Sequence, residues 1–321
     1  MAGMKIAIVG KGGSGKTTVA SLLARYVAQQ EHPVLAIDAD INQHLGRTLG
    51  MTEEEANELP PMGIEIDRIK RYVRGDNPRL QRDDEIIKTT PPGTGSQLLR
   101  PLDDDPVQRY FARTIAGVSL LATGPFTEDD LGVKCYHSKT GAVELFLNHL
   151  IDQPQELVLV DMTAGADSFA SGMFTRFDVT YLVVEPTLNS LSVYDQYVNY
   201  AREYGVDVRV IGNKIEDADD RRFIQEQVGD RLVADFVRSD YIRRLEKGRI
   251  GELSEVEEHN RHSLQAVLDY TFAQSKDWQR FYEQAVYFHR KNAESWANAA
   301  AGVDLTEQID PEFSLLEAIE Q

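Results

Sequence analysis

Short runs rich in valine, isoleucine and leucine alternate along this chain with longer stretches of helical periodicity. The apolar runs lie at residues 4–10, 33–40, 117–124, 156–162, 177–185, 207–213 and 231–237. Helical patterns separate most of these runs, for example at 141–150 and 190–204. Strands that are buried on both faces of a parallel sheet give such near-continuous apolar runs. The pattern therefore predicts an α/β fold, a doubly wound and mainly parallel sheet with helices on both faces.

Two regions depart from this alternation. Residues 60–113 are dense in proline, glycine and charge, which indicates an irregular, mobile insertion with short elements. From residue 252 the pattern is helical, and large apolar residues recur near helical spacing at Trp278, Phe281, Tyr282, Ala285, Phe288 and Trp296. Such an amphipathic helix is expected to dock on the main domain or on a second subunit. We expect a nucleotide-binding α/β domain over residues 1–251 and a helical C-terminal extension over 252–321.

Composition limits the function classes. There are 34 Lys and Arg against 52 Asp and Glu, a net charge of −18, which disfavours non-specific nucleic-acid binding. No apolar run approaches the roughly 18 residues that a membrane span requires. The single cysteine excludes a disulfide framework and indicates a reduced, cytoplasmic setting. We therefore expect a cytoplasmic protein without a nucleic-acid or membrane partner.

The strongest motif follows the first apolar run. Residues 10–17, GKGGSGKT, satisfy the phosphate-loop pattern G-x-x-x-x-G-K-[ST] between a predicted strand and a predicted helix. Backbone N–H groups of such a loop and the helix N-terminus bind phosphate oxygens. Lys16 is expected to bridge the β- and γ-phosphates, and the Thr17 hydroxyl to bind Mg²⁺. The candidate ATP- or ADP-binding residues of this segment are Gly12, Gly13, Ser14, Gly15, Lys16, Thr17 and Thr18.

Carboxylates follow two other apolar runs. Asp38 and Asp40 close the second run, and Asp161 closes a fully apolar one. Burial of a carboxylate is costly unless it meets a cation or hydrogen-bond donors, so Asp161 suits a role toward water-bound Mg²⁺. Asp38 is expected to support Mg²⁺ or its waters. The alternative is that residues of this type at strand ends only cap helices or form turns.

The run KGG-x-GKT resembles the deviant Walker A motif of the MinD/ParA/nitrogenase-iron-protein class. The resemblance implies an ATP-dependent homodimer in which Lys11 reaches the partner subunit's nucleotide and stabilises transition-state charge. It also makes Asp40 the water-orienting residue of switch I. Gly165 would offer its N–H to the γ-phosphate in switch II. Asn213 looks like the adenine-reading asparagine of the class, although an Asx turn after a strand is an alternative.

Several segments resemble the CooC-type ATPases more closely. They are KGGSGKTT, DADINQHLGRTLGM, VDMTAGADSF, VVEPTLNSL and IGNK, and the similarity covers roughly residues 4–250. Proteins of that type assist nickel insertion into carbon monoxide dehydrogenase. The resemblance therefore implies a metal-maturation ATPase with a client protein. The region from about residue 252 has no recognisable counterpart.

Cys135 and His137 depart from that family, which carries a C-x-C pair at this place. Across a two-fold axis the C-x-H pair would supply two thiolates and two imidazoles, a tetrahedral set for Zn²⁺ that Ni²⁺ would also accept. The alternative is a buried thiol beside a capping histidine. One cysteine per subunit does not suffice for an all-thiolate iron–sulfur cluster shared by two subunits. His259 and His262 are interpreted as surface residues of a helix, with no acidic partner placed beside them.

Three function classes remain open from the sequence. The first is a dimerising, nucleotide-switched ATPase that loads a metal into a partner enzyme. The second is a ParA/MinD-type positioning ATPase, for which a basic stripe or a lysine-rich terminal helix is expected and neither is apparent. The third is a small-molecule kinase or synthetase on the same fold, which would transfer phosphate without an ATP-driven dimer. We expect the first.

Overall fold

The computed structural model describes residues 2–101, 105–125, 136–163, 169 and 172–320, without the side chains of 136–138. Its eight strands form one sheet in the order β3-β4-β2-β5-β1-β6-β7-β8. All neighbouring strands run parallel except β3, which is antiparallel to β4. The strands are β1 (Met4–Gly10), β2 (Val34–Asp38), β3 (Arg113–Ile115), β4 (Val118–Ala122), β5 (Leu157–Thr163), β6 (Val179–Val184), β7 (Asp207–Ile215) and β8 (Leu232–Val237). The predicted fold class is confirmed.

Helices cover both faces of this sheet. In the described ranges they are α1 (Lys16–Gln29), α2 (Leu45–Leu49), α3 (Glu53–Asn57), α4 (Ile66–Arg74), α5 (Pro106–Phe111), α6 (Tyr136–His149), α7 (Leu188–Arg202), α8 (Ala218–Val228), α9 (Asp240–Leu245), α10 (Glu258–Phe272), α11 (Trp278–Asn292), α12 (Asn298–Ala301) and α13 (Leu315–Glu320). Alternate strand residues point into two separate cores, as the pleat requires. One core contains residues of α4 to α8 and α11, and the other contains residues of α1, α2, α9 and α10. None of the helices described combines the length and the apolar character needed to cross a membrane.

The segment 60–113 is packed more closely than the sequence indicates. It contains α4, α5 and two isolated parallel bridges, one from Pro61 to Ala122 of β4 and one from Leu99 to Leu150, which directly follows α6. Apolar residues along its whole length are buried in one of the two cores, namely Met62, Ile69, Val73, Leu80, Ile86, Leu99, Val107 and Phe111. The predicted short elements are present and the predicted mobility stays a prediction, but the close packing was not expected, because the apolar residues are spaced irregularly and give no periodic signal.

The C-terminal extension docks on the main domain, as the amphipathic pattern predicts. In α11, Phe281, Ala285 and Phe288 are buried, and Phe288 belongs to the core shared with α4 to α8. Trp296 does not continue this face and is 50% exposed. It lies within a π-helical turn, Ala293–Ala297, which follows α11, and the wider turn changes the direction of its side chains relative to those of α11. The proposed boundary at residue 251 stays a prediction.

A buried charge cluster joins the extension to the start of the sheet. The Lys5 ammonium lies 3.1 Å from an Asp152 oxygen, and the Lys276 ammonium lies 2.8 Å from the other oxygen and 2.6 Å from Asp178. Burial lowers the pKa of Lys5 to about 8, against the opposing effect of Asp152. Because each buried charge has a partner of opposite sign, the cluster fixes where α11 begins. It occupies the edge of the sheet opposite to the carboxyl ends of the parallel strands.

Candidate functional site

The phosphate-loop motif forms a tight turn between β1 and α1. Gly13 and Gly15 have φ angles of 88° and 87°, in the left-handed region that favours glycine, and Ser14 N donates to Lys11 O at 3.0 Å. The first turn of α1 contains no acidic residue, so its free N–H groups are available to an anion. In the described part of the chain, the buried Ser14 Oγ has no hydrogen-bond partner. The turn thus presents donors toward the space where phosphate oxygens are expected.

Lys16 lies at the centre of the charged part of the site. Its Nζ is 2.5 Å from Asp40 Oδ2. Burial alone would lower the pKa of Lys16, but the charges of Asp161 and Asp40 raise it above its usual value. Burial raises the pKa of Asp40, yet hydrogen bonds from Lys16 and Asn42 lower it more, so Asp40 remains a carboxylate. The lysine predicted to bind phosphate is therefore held by the aspartate predicted to orient water.

Asp38 and Asp161 lie side by side because β2 and β5 are neighbouring parallel strands with these two residues in register. Both are buried, at 2% and 0% exposure. Asp38 accepts hydrogen bonds from Leu45 N at 2.8 Å and from Asp40 N at 3.2 Å. Burial and the charge of Asp161 raise the pKa of Asp38 well above its usual value. Burial raises the pKa of Asp161 to about 6, against the opposing effects of Lys16 and the Thr17 hydroxyl.

These carboxylates fit the Mg²⁺ ion that the motif implies. Within the described residues, neither oxygen of Asp161 accepts a hydrogen bond of normal geometry, so two buried acceptors lack a partner. The same residues contain no group of three histidine, cysteine, aspartate or glutamate side chains able to hold a metal by themselves. Mg²⁺ usually keeps several waters and uses one or two carboxylates together with phosphate oxygens. Asp161 with Thr17, supported by Asp38, matches that donor set.

Two consecutive residues at the end of β7 clamp the phosphate loop. Asn213 Nδ2 donates to Ser14 O at 2.7 Å, and Lys214 Nζ donates to Gly13 O at 2.6 Å. Lys214 Nζ also lies 2.6 Å from Glu185 Oε1. Because the C=O and N–H of a trans peptide point in opposite directions, holding these two carbonyls orients the N–H groups that follow them. Lys214 had no predicted role, because its contact with Gly13 spans 201 residues and no local pattern signals it.

Lys11 lies at the exposed rim of the site. Its Nζ is 2.5 Å from Oδ1 of Asn189, in the first turn of α7 of the same chain. Two apolar side chains are exposed near this face, Leu188 at 74% and Ile41 at 37%. The geometry leaves the predicted action of Lys11 in a partner subunit untested.

Two cavities adjoin the phosphate loop and the first turn of α1. The larger one, of about 510 Å³, is lined by Thr17 and Thr18 together with His44, Arg47 and Lys247. The smaller one, of about 300 Å³, lies at the carboxyl ends of β7 and β8. Its lining includes Asn213, Lys214, Val237, Arg238 and Ser239. Open parallel sheets bind ligands at this edge, so both cavities are placed to hold the rest of a nucleotide.

Three of the other predicted site residues lack a described side chain or lie outside the described residues. Cys135 and Gly165 lie outside the described residues, and His137 lies in α6 without a described side chain. His259 differs from its interpretation as a residue without an acidic partner. Its Nε2 is 2.9 Å from Asp235 Oδ1. The contact joins α10 to the end of β8, a long-range pairing that helical spacing does not show.

Comparison with known proteins agrees with this geometry. Residues 5–258 match the family described as CbiA, the CobQ/CobB/MinD/ParA nucleotide binding domain. The carbon monoxide dehydrogenase accessory protein CooC of Rhodospirillum rubrum is 32% identical over 225 residues, covering 70% of this chain and 79% of that protein. An uncharacterized ATP-binding protein of Methanocaldococcus jannaschii is 30% identical over 232 residues, covering 70% of this chain and 82% of its own length.

Solved structures share the fold at lower identity. A ParA family ATPase from Chlorobium tepidum is 15% identical with a TM-score of 0.55, covering 84% of this chain and 98% of that one. The septum site-determining protein MinD of Pyrococcus horikoshii, solved with Mg-ADP, is 15% identical with a TM-score of 0.53, covering 84% and 95%. These similarities establish a common fold.

We predict that Asp161→Asn raises the free energy of unfolding of the nucleotide-free protein at pH 7.5. The expected gain is on the order of 1–3 kcal/mol, because the variant removes a buried carboxylate whose folded-state pKa is raised to about 6. A raised carboxyl pKa destabilises the fold at higher pH, so the gain should be complete above about pH 6 and vanish near pH 4. Urea unfolding at several pH values measures it.

Asp195→Asn, the same change on an exposed side chain of α7, is the control and should leave stability unaltered. Equal stability of Asp161→Asn and wild type at pH 7.5 would contradict the assignment of Asp161 as a buried carboxylate with a raised pKa. So would a gain that persists unchanged at pH 4.

We predict that Lys214→Met weakens nucleotide binding about tenfold, because it removes a charge-assisted hydrogen bond worth roughly 1.5 kcal/mol from the Gly13 carbonyl. ATP and ADP should lose affinity equally, since the contact orients the loop and does not depend on the γ-phosphate. Lys214→Arg keeps a cationic donor and should lose less. Calorimetric titration measures these affinities, with Lys70→Met on α4 as the control. An unchanged affinity in Lys214→Met would refute the clamp.

Proposed function

The chain belongs to the CobQ/CobB/MinD/ParA nucleotide-binding family, and we propose that it is a magnesium-dependent ATPase that dimerises on ATP and helps to load a metal into a partner enzyme. One observation carries the first part of this proposal. The Lys16 ammonium and the buried Asp161 carboxylate lie close enough to shift each other's pKa, at the open N-terminus of α1 directly after the phosphate loop. A cation, a carboxylate and aligned N–H groups are the components that Mg·ATP requires.

In the proposed complex, the triphosphate lies along Gly12–Thr18. The N–H groups of the loop donate to the phosphate oxygens, and Lys16 contacts the β- and γ-phosphates. Thr17 and Asp161 would hold Mg²⁺, with Asp38 supporting its waters, and the ion would neutralise charge on the β- and γ-oxygens. The adenine would occupy the smaller cavity beside Asn213. Asn213 already donates one amide hydrogen to the loop, so its remaining polar atoms are the ones left for the base.

Asp40 is suited to orient the attacking water. In the nucleotide-free chain it neutralises Lys16, at 2.5 Å. A γ-phosphate at Lys16 would compete for that ammonium and leave the carboxylate to accept a hydrogen bond from water. Because the pKa of Asp40 is lowered, it would act by positioning the water more than by taking its proton. Gly165, from the family resemblance, would donate its N–H to the γ-phosphate.

The proposed homodimer places Lys11 against the partner's nucleotide. Support comes from the position of Lys11 at the exposed rim, where it contacts Asn189, the residue that follows the exposed Leu188. Its hydrogen bond to Asn189 joins two exposed groups, so it offers little resistance to exchange for a phosphate. A second subunit would supply transition-state charge in trans, as an arginine finger does.

The metal-loading part of the proposal rests on the relative from Rhodospirillum rubrum, named an accessory protein of carbon monoxide dehydrogenase. It covers more than two thirds of both chains. We propose that Cys135 and His137 of two subunits bind one Zn²⁺ or Ni²⁺ as cargo for a client protein in the cytoplasm. Thiolate and imidazole ligands suit both ions.

We predict that Lys11→Ala retains most of the Mg·ATP affinity but loses dimer-dependent hydrolysis. Lys11 contacts the partner's nucleotide in the proposed complex, so its loss spares binding within the subunit. Turnover per subunit across a dilution series, with mass measured by size exclusion, tests this. Lys16→Ala is the reference for lost binding. A wild-type rate per subunit that stays constant while the dimer dissociates would rule out action in trans.

We predict one bound metal per dimer through Cys135 and His137, and its loss in Cys135→Ser. Metal affinity should fall as the pH drops, because thiolate and neutral imidazole must be free of protons to bind. Elemental analysis after dialysis, with and without a non-hydrolysable ATP analogue, measures the stoichiometry. Monomeric ATP binding should be unchanged in the variant. Metal-free wild-type dimers prepared with excess zinc or nickel would exclude the metal site while leaving the ATPase assignment intact.

A further inference from the structure

Helix α11 of the extension covers the turn that follows the segment after β5. Arg176 is buried and donates to the carbonyl of Phe281 at 2.9 Å. The rings of Phe174 and Phe288 are 5.6 Å apart and nearly perpendicular. Gly172 approaches α11 so closely that a Cβ at this position would lie 2.8 Å from Cβ of Phe288. A displacement of this turn would therefore collide with α11 or open a gap against it.

An aromatic cluster extends this contact to Phe169. Phe169 lies in the segment after β5, the strand that carries Asp161. Its ring centroid is 4.9 Å from that of Phe174 and 4.5 Å from that of Tyr197 on α7. Phe288 also contacts Tyr204, with centroids 5.2 Å apart. Phe169, Phe174 and the C-terminal helix thus belong to one packed group of rings.

The same helix contacts the insertion. His289 Nε2 lies 2.9 Å from the carbonyl of Leu305, which can only accept, so Nε2 carries the proton and Nδ1 accepts from Thr89 Oγ1 at 3.4 Å. Burial lowers the pKa of His289 to about 4, which keeps the ring neutral. Thr89 lies in the insertion. Helix α11 is therefore packed against both the turn after β5 and the insertion.

The insertion begins beside the carboxylates of the site. Met62 N donates to Ala122 O at 3.0 Å, and Gly63 N donates to Thr123 O at 2.9 Å. Thr123 N in turn donates to the carbonyl of Asp38 at 2.9 Å. Asp38 is thus connected through the end of β4 to the insertion, which contacts α11 at Thr89. The strand that carries Asp161, β5, is followed in the chain by Phe169, which belongs to the ring cluster on α11.

We propose that α11 is a regulatory element whose docking and nucleotide binding are coupled through the Phe169–Phe174–Phe288 cluster. This inference rests on nucleotide binding at the proposed site and goes beyond it, because the family match ends at residue 258, before α11 begins. Nucleotide in the site changes how tightly α11 is held. By linkage, the docking of α11 changes nucleotide affinity by the same factor.

Hydrogen exchange of the full-length protein tests the coupling in the wild type. Amide exchange is followed in peptides covering α11 and, separately, in peptides covering the phosphate loop and the start of α1. The probe is Mg²⁺ with a non-hydrolysable ATP analogue. We expect protection in both regions. The exchange rate in α11 should fall about fivefold or more, since a fivefold change is at the lower end of typical coupling between two binding sites. Protection of the phosphate loop with no change in α11 overturns the inference while the nucleotide site stands. No protection anywhere overturns both.

Variants of Phe288 test whether the coupling passes through the Phe169–Phe174–Phe288 cluster. Phe288→Leu keeps an apolar side chain but removes the ring contacts to Phe174 and Tyr204, and Phe288→Ala removes most of the packing. We expect both to lose most of the nucleotide-dependent change in α11 and to shift analogue affinity severalfold. Tyr282→Leu is the matched control, since its ring contacts Phe313 at 5.3 Å within the extension. It should keep the wild-type response.

A wild-type response and a wild-type affinity in both Phe288 variants would overturn the proposed route. A loss of response in Tyr282→Leu equal to that in Phe288→Leu would also overturn it, because general loosening of the extension would then suffice. If Phe288→Ala fails to fold, Phe288→Leu carries the test. If neither folds, the wild-type exchange measurement decides.

Discussion

Three carboxylates and one ammonium group share the carboxyl edge of the sheet, and their placement follows from strand register. Because β2 and β5 are parallel neighbours, Asp38 and Asp161 are abreast and cannot move apart without breaking the ladder between them. Lys16 and Asp40 form the ion pair beside them. Burial of like charges raises the pKa of both Asp38 and Asp161. The carboxylates of the nucleotide-free site are thus short of positive charge, a condition that favours the binding of a divalent cation.

Much of the fold and part of the site could be predicted from the sequence. The parallel strands are buried on both faces, so their apolar runs are continuous and easily seen. The phosphate loop is local, because glycine conformations and the helix start lie within one motif. Lys214 escaped prediction because its contact with Gly13 spans 201 residues and leaves no local pattern. The packing of the insertion also escaped, since Leu80, Ile86 and Leu99 are separated by turn residues and share no period.

The extension is held by two kinds of contact with different consequences. At the start of the sheet, Lys5, Asp152 and Lys276 form a buried ion cluster, which adds little net stability but penalises any other docking position. Along the face of the sheet, Phe288 buries its ring in the core shared with α4 to α8, which stabilises docking in proportion to the apolar area. The polar cluster therefore sets the position of the extension, whereas the aromatic contact stabilises it there.

The segment 185–189, which runs from the end of β6 into the first turn of α7, contacts two lysines that serve the phosphate loop in different ways. Glu185 pairs with Lys214, which holds the Gly13 carbonyl, and Asn189 accepts from Lys11 at the rim. Lys214 is bound by two acceptors and is partly buried, so it is the fixed member of the pair. Lys11 has an exposed amide as its partner, and an exposed hydrogen bond competes poorly with a phosphate anion. The same segment therefore keeps one lysine in place as part of the loop and holds the other only weakly, at the surface where a second nucleotide-bearing subunit would meet it.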